Sequence, residues 1–271
     1  MKKILSAAAA LGAVAVFCSC SKQADKAVTP AAPDAPAAKT FTVGFDAEFP
    51  PSGYKDGNEY KGFALDLARE VCKRKGWTFV AKPIDWDAKD AELDSGSIDC
   101  IWNGFTQQGR EGQYAWTPAY VDNSQVVLVA ADSAAAKLAD LAGKTVAVQT
   151  DTPVQKALQG KDEEKPEAAA LGKTFKNIVV TATYNNAVME LESGAVDAVA
   201  LDIGVAKQKM ADKAGKFKML EEIIMKETYG IGFKKGNDAL AAEVWAVYQA
   251  MLADGTVDKI AAQYGIDSVI K

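Results

Sequence analysis

The sequence predicts an α/β protein built as two lobes of similar plan. Three observations lead there. From Phe41 onward short apolar strands alternate with helical segments, the β-α-β pattern of a parallel sheet covered by helices. The stretch Glu92-Leu93-Asp94-Ser95-Gly96-Ser97-Ile98-Asp99 is echoed by Glu190-Leu191-Glu192-Ser193-Gly194-Ala195-Val196-Asp197, an internal repeat at an offset of 98 residues. And 271 residues suffice for two cores.

The elements follow in order. Residues 42–45 form a strand. Residues 63–75 form a helix, with Ala64, Leu67, Ala68, Val71 and Cys72 on one face and Gly76 as its stop. A strand over 77–83, a short helix opened by Asp87 and a strand over 98–102 complete the first series. The second holds a strand over 145–149, a helix after Pro153, a strand over 178–181, a helix over 186–192 and a strand over 196–201. The apolar run 126–131 carries the chain out of the first lobe. Helices over 237–253 and 256–264 then cover the first lobe again.

The N-terminus is of another kind. Two lysines precede about 14 apolar residues, too few to span a bilayer and of the right length for a secretory leader. Phe17-Cys18-Ser19-Cys20 resembles a bacterial lipobox, which implies that Cys20 is acylated and becomes the mature N-terminus. Cys18 is the rival acceptor, disfavoured by the bulk of Phe17, and an unlipidated leader is the alternative. Residues 20–39 carry Pro30, Pro33 and Pro36 among alanines and read as an extended tether. Two further cysteines, Cys72 and Cys100, are equally compatible with a disulfide and with two free thiols in the core.

Composition narrows the chemistry. The chain contains no histidine, which removes Ser-His-Asp and Cys-His catalysis and the HExxH zinc motif. With no paired-cysteine motif beyond the leader either, no metal and no cofactor are expected. A net charge of −5 argues against a sequence-blind grip on nucleic acid.

Short segments then add up. They are Asp46-Ala47-Glu48-Phe49-Pro50-Pro51, Gly62-Phe63-Ala64-Leu65-Asp66-Leu67-Ala68, Ser97-Ile98-Asp99-Cys100-Ile101, Asn103-Gly104-Phe105-Thr106 followed by Arg110, Val196-Asp197-Ala198, Tyr229-Gly230-Ile231, and Ala253-Asp254-Gly255-Thr256. In this order and spacing the chain resembles the solute-binding proteins of polar amino-acid ABC transporters, from Thr40 to Gly265. The resemblance implies a two-lobed periplasmic-binding-protein-like fold of type II, its lobes joined by two hinge strands. The second crossing would be the returning strand over 229–233. Lobe 1 would then comprise 40–128 and 228–271, and lobe 2 129–227, after a leader over 1–19.

An α-amino acid brings a carboxylate and an ammonium into a closing cleft, and each needs a fixed partner once stripped of water. Arg110 stands at the place of the family's carboxylate-binding arginine, whose planar fork suits that group. Asp202 matches the ammonium-binding aspartate, with Thr106 and the carbonyl of Gly104 as further acceptors. On the residues alone, a strand-end aspartate reads as a helix N-cap. Phe49 and Trp86 occupy the positions that sandwich the ligand side chain, with Trp102 a looser candidate. Thr152 donates to the carboxylate, although Asp151 and Pro153 depart from the family pattern: one brings a negative charge, the other has no N–H. Asp46 and Asn103 complete the set. The surplus acids Asp46, Glu48 and Asp151 lean toward a polar or cationic ligand.

The resemblance implies a non-enzymatic, monomeric protein. It would sit in the periplasm or on the outer face of the cell membrane, held there by its lipid, and deliver an L-amino acid to the permease of an ABC importer. The alternative is an enzyme on the same scaffold, a prephenate or arogenate dehydratase of the cyclohexadienyl dehydratase kind.

Overall fold

The computed structural model describes residues 38–271, so Cys20 and the proposed leader and most of the tether lie outside the described residues. In chain order the elements are β1 (Thr40–Phe45), β2 (Glu48–Phe49), β3 (Gly53–Asp56), β4 (Glu59–Lys61), α1 (Phe63–Lys75), β5 (Thr78–Pro83), α2 (Lys89–Asp94), β6 (Cys100–Ile101), β7 (Tyr114–Trp116) and β8 (Val121–Ala130). There follow β9 (Thr145–Gln149), α3 (Pro153–Leu158), α4 (Pro166–Thr174), β10 (Asn177–Thr181), α5 (Tyr184–Ser193), β11 (Ala198–Asp202), α6 (Ile203–Asp212), β12 (Phe217–Met219), β13 (Met225–Tyr229), β14 (Gly232–Lys234), α7 (Asp238–Ala253) and α8 (Thr256–Gln263).

Two sheets organise the lobes. The first has the order β5-β1-β6-β14-β7 and the second β10-β9-β11-β8-β12, with β13 also on β8. In each, three parallel strands are extended by antiparallel ones: β14 on β6 and β7, β8 on β11 and β12. The sheets are therefore mixed, where the β-α-β alternation suggested parallel ones. The antiparallel strands are those that carry the chain between sheets, and they enter from the opposite direction.

The repeat has a structural counterpart. Gly96 and Gly194 both stop a helix with φ near 75°, a left-handed turn that glycine adopts without strain. The aspartate three residues later then locks its strand to the strand that opens the sheet. Asp99 N–H donates to Thr42 O at 2.8 Å, and its carboxylate accepts from Thr42 N–H at 2.6 Å. Asp197 does the same to Thr145, at 2.9 and 2.8 Å.

Strands of the second sheet are buried on both faces, and their alternation shows it. Ala147, Val199 and Leu201 pack under α5 and α6. Val146, Val148, Ala198 and Ala200 pack on the other side with Val154 and Leu158 of α3. The core of the first lobe draws on both ends of the chain, joining Phe41, Val43, Leu67 and Val71 to Phe233, Val244, Tyr248 and Met251. Cys72 and Cys100 lie in that core as free thiols, the second of the two readings.

The chain leaves the first sheet after Trp116 and enters the second at Val121, earlier than the expected boundary at 128. The polar residues Asp122 to Gln125 hide the first half of this strand, whose inner face carries amides. The return is two strands, β13 and β14, in place of one over 229–233, because the chain changes sheets at Gly230-Ile231. The two passages run side by side: Tyr120 N–H donates to Tyr229 O at 2.9 Å and Thr117 N–H to Ile231 O at 3.1 Å. Residues 268–270 pair with the first passage through the Val121–Val269 bridge.

Candidate functional site

The lobes meet over a narrow cavity with room for no more than about one water molecule, ≈ 10 Å³. Phe49, Trp86, Gly104, Thr106 and Arg110 line it from the first lobe, and Gln149, Thr152, Pro153 and Asp202 from the second. Seven of the nine residues expected at the site are thus brought together. Asp46 and Asn103 are not among the lining residues.

Arg110 follows the turn after Gly109 and is 3% exposed. Its guanidinium donates to Asp151 O at 2.6 Å across the cleft and to Thr106 O at 3.2 Å, and it lies 5.1 Å from the Phe105 ring. Two of its five N–H donors are satisfied by these carbonyls, and the guanidinium borders the cavity. Thr106 is fixed by a bridge to Tyr229. Gly104 is where a side chain has no room: a Cβ there would stand 2.4 Å from Phe49 Cε1 and 2.7 Å from Cζ. Phe49 thereby packs directly against the backbone at Gly104. Trp86 stands edge-on to Phe105, their centroids 5.5 Å apart.

Asp202 ends β11 and precedes α6, yet makes no side-chain cap bond. Its carboxylate turns to Asn123 Nδ2, which donates to Oδ1 at 2.7 Å, to the Tyr184 hydroxyl at 2.8 Å and to the Tyr229 hydroxyl. Burial, joined by the Asp202 charge, pushes both phenols well above their ordinary value, so they stay protonated donors. With three donors on four lone pairs, the carboxylate keeps acceptor capacity beside the cavity.

Thr152 caps α3, accepting from Gln155 N–H at 3.3 Å and donating its hydroxyl to Gln149 O at 2.8 Å. Pro153 occupies the first helical position, where no N–H is missed. Asp151 does not crowd the site with free charge: its side chain pairs with Lys89 of the first lobe and with Lys156 at 2.9 Å. Burial raises its carboxyl, but Lys89, Lys156 and Arg110 more than offset this and hold it below the ordinary range.

Asp46 serves another purpose than contact with the cavity. Its Oδ2 accepts from Gln149 Nε2 at 2.8 Å, so it joins the lobes, and burial raises its carboxyl. Asn103 is fully buried, its Oδ1 3.0 Å from where a Cβ on Gly53 would stand. Trp102 is fully buried in the first lobe, edge-on to Tyr120.

Sequence reasoning missed Lys89, Gln149, Asn123, Tyr184 and Tyr229. Lys89 carries no signal, reading as a surface lysine of a short helix although it is 1% exposed. Asn123 and Gln125 do carry one: two amides alternate along a strand whose other inward residues, Val127 and Val129, are apolar.

Residues 41–267 match the family model of bacterial extracellular solute-binding proteins, family 3. A probable histidine-binding protein of Neisseria gonorrhoeae is 29% identical, over 97% of this chain and 96% of its own length. ABC transporter arginine-binding protein 1 of Escherichia coli is 27% identical, over 85% and 92%. Among solved structures, a histidine-bound substrate-binding protein of an ABC uptake transporter from Streptococcus pneumoniae superposes with a TM-score of 0.78 at 28% identity, covering 86% of this chain and 95% of that one. The arginine-, lysine-, histidine-binding protein ArtJ of Geobacillus stearothermophilus does so with 0.73 at 31%, covering 83% and 95%. A two-lobed α/β fold closed over a cavity between its sheets, and a family model spanning nearly all of the described residues, together make this chain a member of the family 3 bacterial extracellular solute-binding proteins.

Proposed function

We propose that the chain captures an L-amino acid by closing its lobes and delivers it to an ABC importer. The observation that carries this reading is that Arg110 and Asp202, buried groups of opposite charge on different lobes, border one enclosed cavity. A zwitterion would satisfy both, carboxylate toward Arg110 and ammonium toward Asp202, once the lobes part to admit it, so ligand binding and closure become one equilibrium. Gly104 and Thr106 add acceptors, Thr152 adds its backbone N–H as a donor, its hydroxyl proton being given to Gln149 O, and Phe49 and Trp86 flank the side chain. Asp46 holds the lobes together and acts on the ligand only from a distance, as does buried Asn103.

A polar or cationic side chain is the favoured ligand. The named ligands of the relatives support it, arginine and histidine among them. The surplus of acids supports it less than the sequence suggested, because Asp46 and Asp151 have partners within the protein. The chain acts as a monomeric binder and not as an enzyme, exported by residues 1–19 and held by a lipid on Cys20 at the end of the 20–39 tether. It therefore works in the periplasm or at the outer face of the cell membrane.

A thermal-shift panel of all L-amino acids tests the reading. A ligand at a thousand times its Kd should add about 4 kcal/mol of stability. No shift with any member, or turnover of prephenate or arogenate, would displace it. Arg110→Ala should weaken binding about a hundredfold or more, since a buried carboxylate loses its partner.

A further inference from the structure

Glu227 lies on β13, three residues before the chain changes sheets at Gly230-Ile231, and is 3% exposed. Its Oε1 accepts from Asn123 Nδ2 at 2.6 Å and from Gln125 Nε2 at 2.7 Å. The same Asn123 nitrogen donates to Asp202 Oδ1 at 2.7 Å. One amide thus ties together two carboxyl groups. The second oxygen of Glu227, Oε2, is buried and has no partner among the described residues, and neither has Gln125 Oε1. Orphaned buried acceptors are costly, and a proton on Glu227 Oε2 turns one of them into a donor.

We propose that Glu227 is a positioning residue for the ligand ammonium, a proton-bearing partner of Asp202 that gives up its proton when the ammonium docks. In the empty protein Glu227 holds a proton beside the Asp202 carboxyl group. When an ammonium reaches Asp202, the Oε2–H bond breaks and the proton passes to solvent, leaving two carboxylates facing one cation. Capture of an amino acid and release of a proton are then linked. The inference rests on Asp202 being the ammonium anchor.

The surroundings support it. Burial first, and then the Asp202 charge, push the Glu227 carboxyl up to about 8. Facing it are Asp202 from β11, the phenols of Tyr184 on α5 and Tyr229 on β13, and the two amides of β8; Lys226, its neighbour in sequence, is exposed. An added cation reverses the sign of this field and draws the value down. A ligand that lowers the value binds the ionised form more tightly, so affinity rises with pH between the bound and free values. The absence of histidine leaves no unperturbed side chain to titrate between pH 5 and 8 and obscure the effect.

Calorimetry with L-arginine and L-glutamine, in buffers of different ionisation enthalpy from pH 6 to 8.5, tests the inference. The expected result is a proton released per ligand bound, approaching one at neutral pH. Affinity should be on the order of tenfold tighter at pH 8 than at pH 6. Glu227→Gln should bind with neither proton release nor pH slope. If that variant does not fold, the proton count on the unaltered protein decides alone. A ligand that binds with no proton exchange and constant affinity, or a slope that survives in Glu227→Gln, overturns the inference and leaves the binding reading standing. If no L-amino acid binds at any pH, the binding reading falls and the inference falls with it.

Discussion

Asp202 shows how little its sequence position says about its role. An aspartate between a strand and a helix is expected to cap the helix. Here two phenols and an amide hold the carboxylate beside the cavity, leaving α6 without a side-chain cap. The three donors come from α5, β8 and β13, far apart in sequence, and no local pattern announces their convergence. Arg110 and Phe49 were found through the resemblance, since by themselves they are a loop arginine and a turn aromatic. Gly104 permits a sharper test. An added methyl must displace the Phe49 ring, which is a wall of the cavity. Gly104→Ala should therefore weaken amino-acid binding about tenfold with a smaller loss of stability, around 1 kcal/mol. Unchanged affinity by titration calorimetry would show that Phe49 moves away from the ligand.

At the scale of elements, periodicity and punctuation worked where an element is long or sharply stopped. The helix predicted over 63–75 is α1 as observed, ending at left-handed Gly76. The strand over 145–149 is β9 as observed. What was missed is short or polar: the hairpin sheet β2-β3-β4, β7 and β12, and helices α4 and α6. Alanine-rich α4 has a weak apolar stripe, and it packs through close backbone approach. A Cβ on Gly172 would stand 1.9 Å from Leu158 O and 2.7 Å from Leu158 C. Backbone cannot yield as a side chain does. Although alanine is the better helix former by about 1 kcal/mol, Gly172→Ala should destabilise by about 2–3 kcal/mol. In a domain of this size that lowers Tm by roughly 5–10 °C. A scanning calorimeter reading equal or higher Tm would refute the contact between α3 and α4.

For the molecule as a whole, closure is held by contacts whose pairing leaves no mark in the sequence. Lys89 reaches from one lobe to Asp151 on the other, Arg110 to the Asp151 carbonyl, and Gln149 to Asp46. Lys89 is 1% exposed, so in the closed form its charge depends on Asp151. Asp151→Asn should leave the unliganded protein more open, with a larger radius of gyration in solution scattering than the unaltered chain, and saturating ligand should restore compaction. Equal radii without ligand would remove this pair as a latch. The pair also has an acid limit. The Asp151 carboxyl is held below its ordinary value, so its contribution is complete above pH 4 and fades as pH falls through the lowered value.

The two passages between sheets also bear on the order in which the protein is made. The second sheet and its covering helices are one uninterrupted run of chain, ready to fold once β13 has appeared. The first sheet is not: Phe41, Val43, Leu67 and Val71 must wait for Phe233, Val244, Tyr248 and Met251, which are synthesised last. For most of synthesis and export the front of the chain therefore carries an apolar surface without its partner. That surface is the stretch on which a holding chaperone would have most to do.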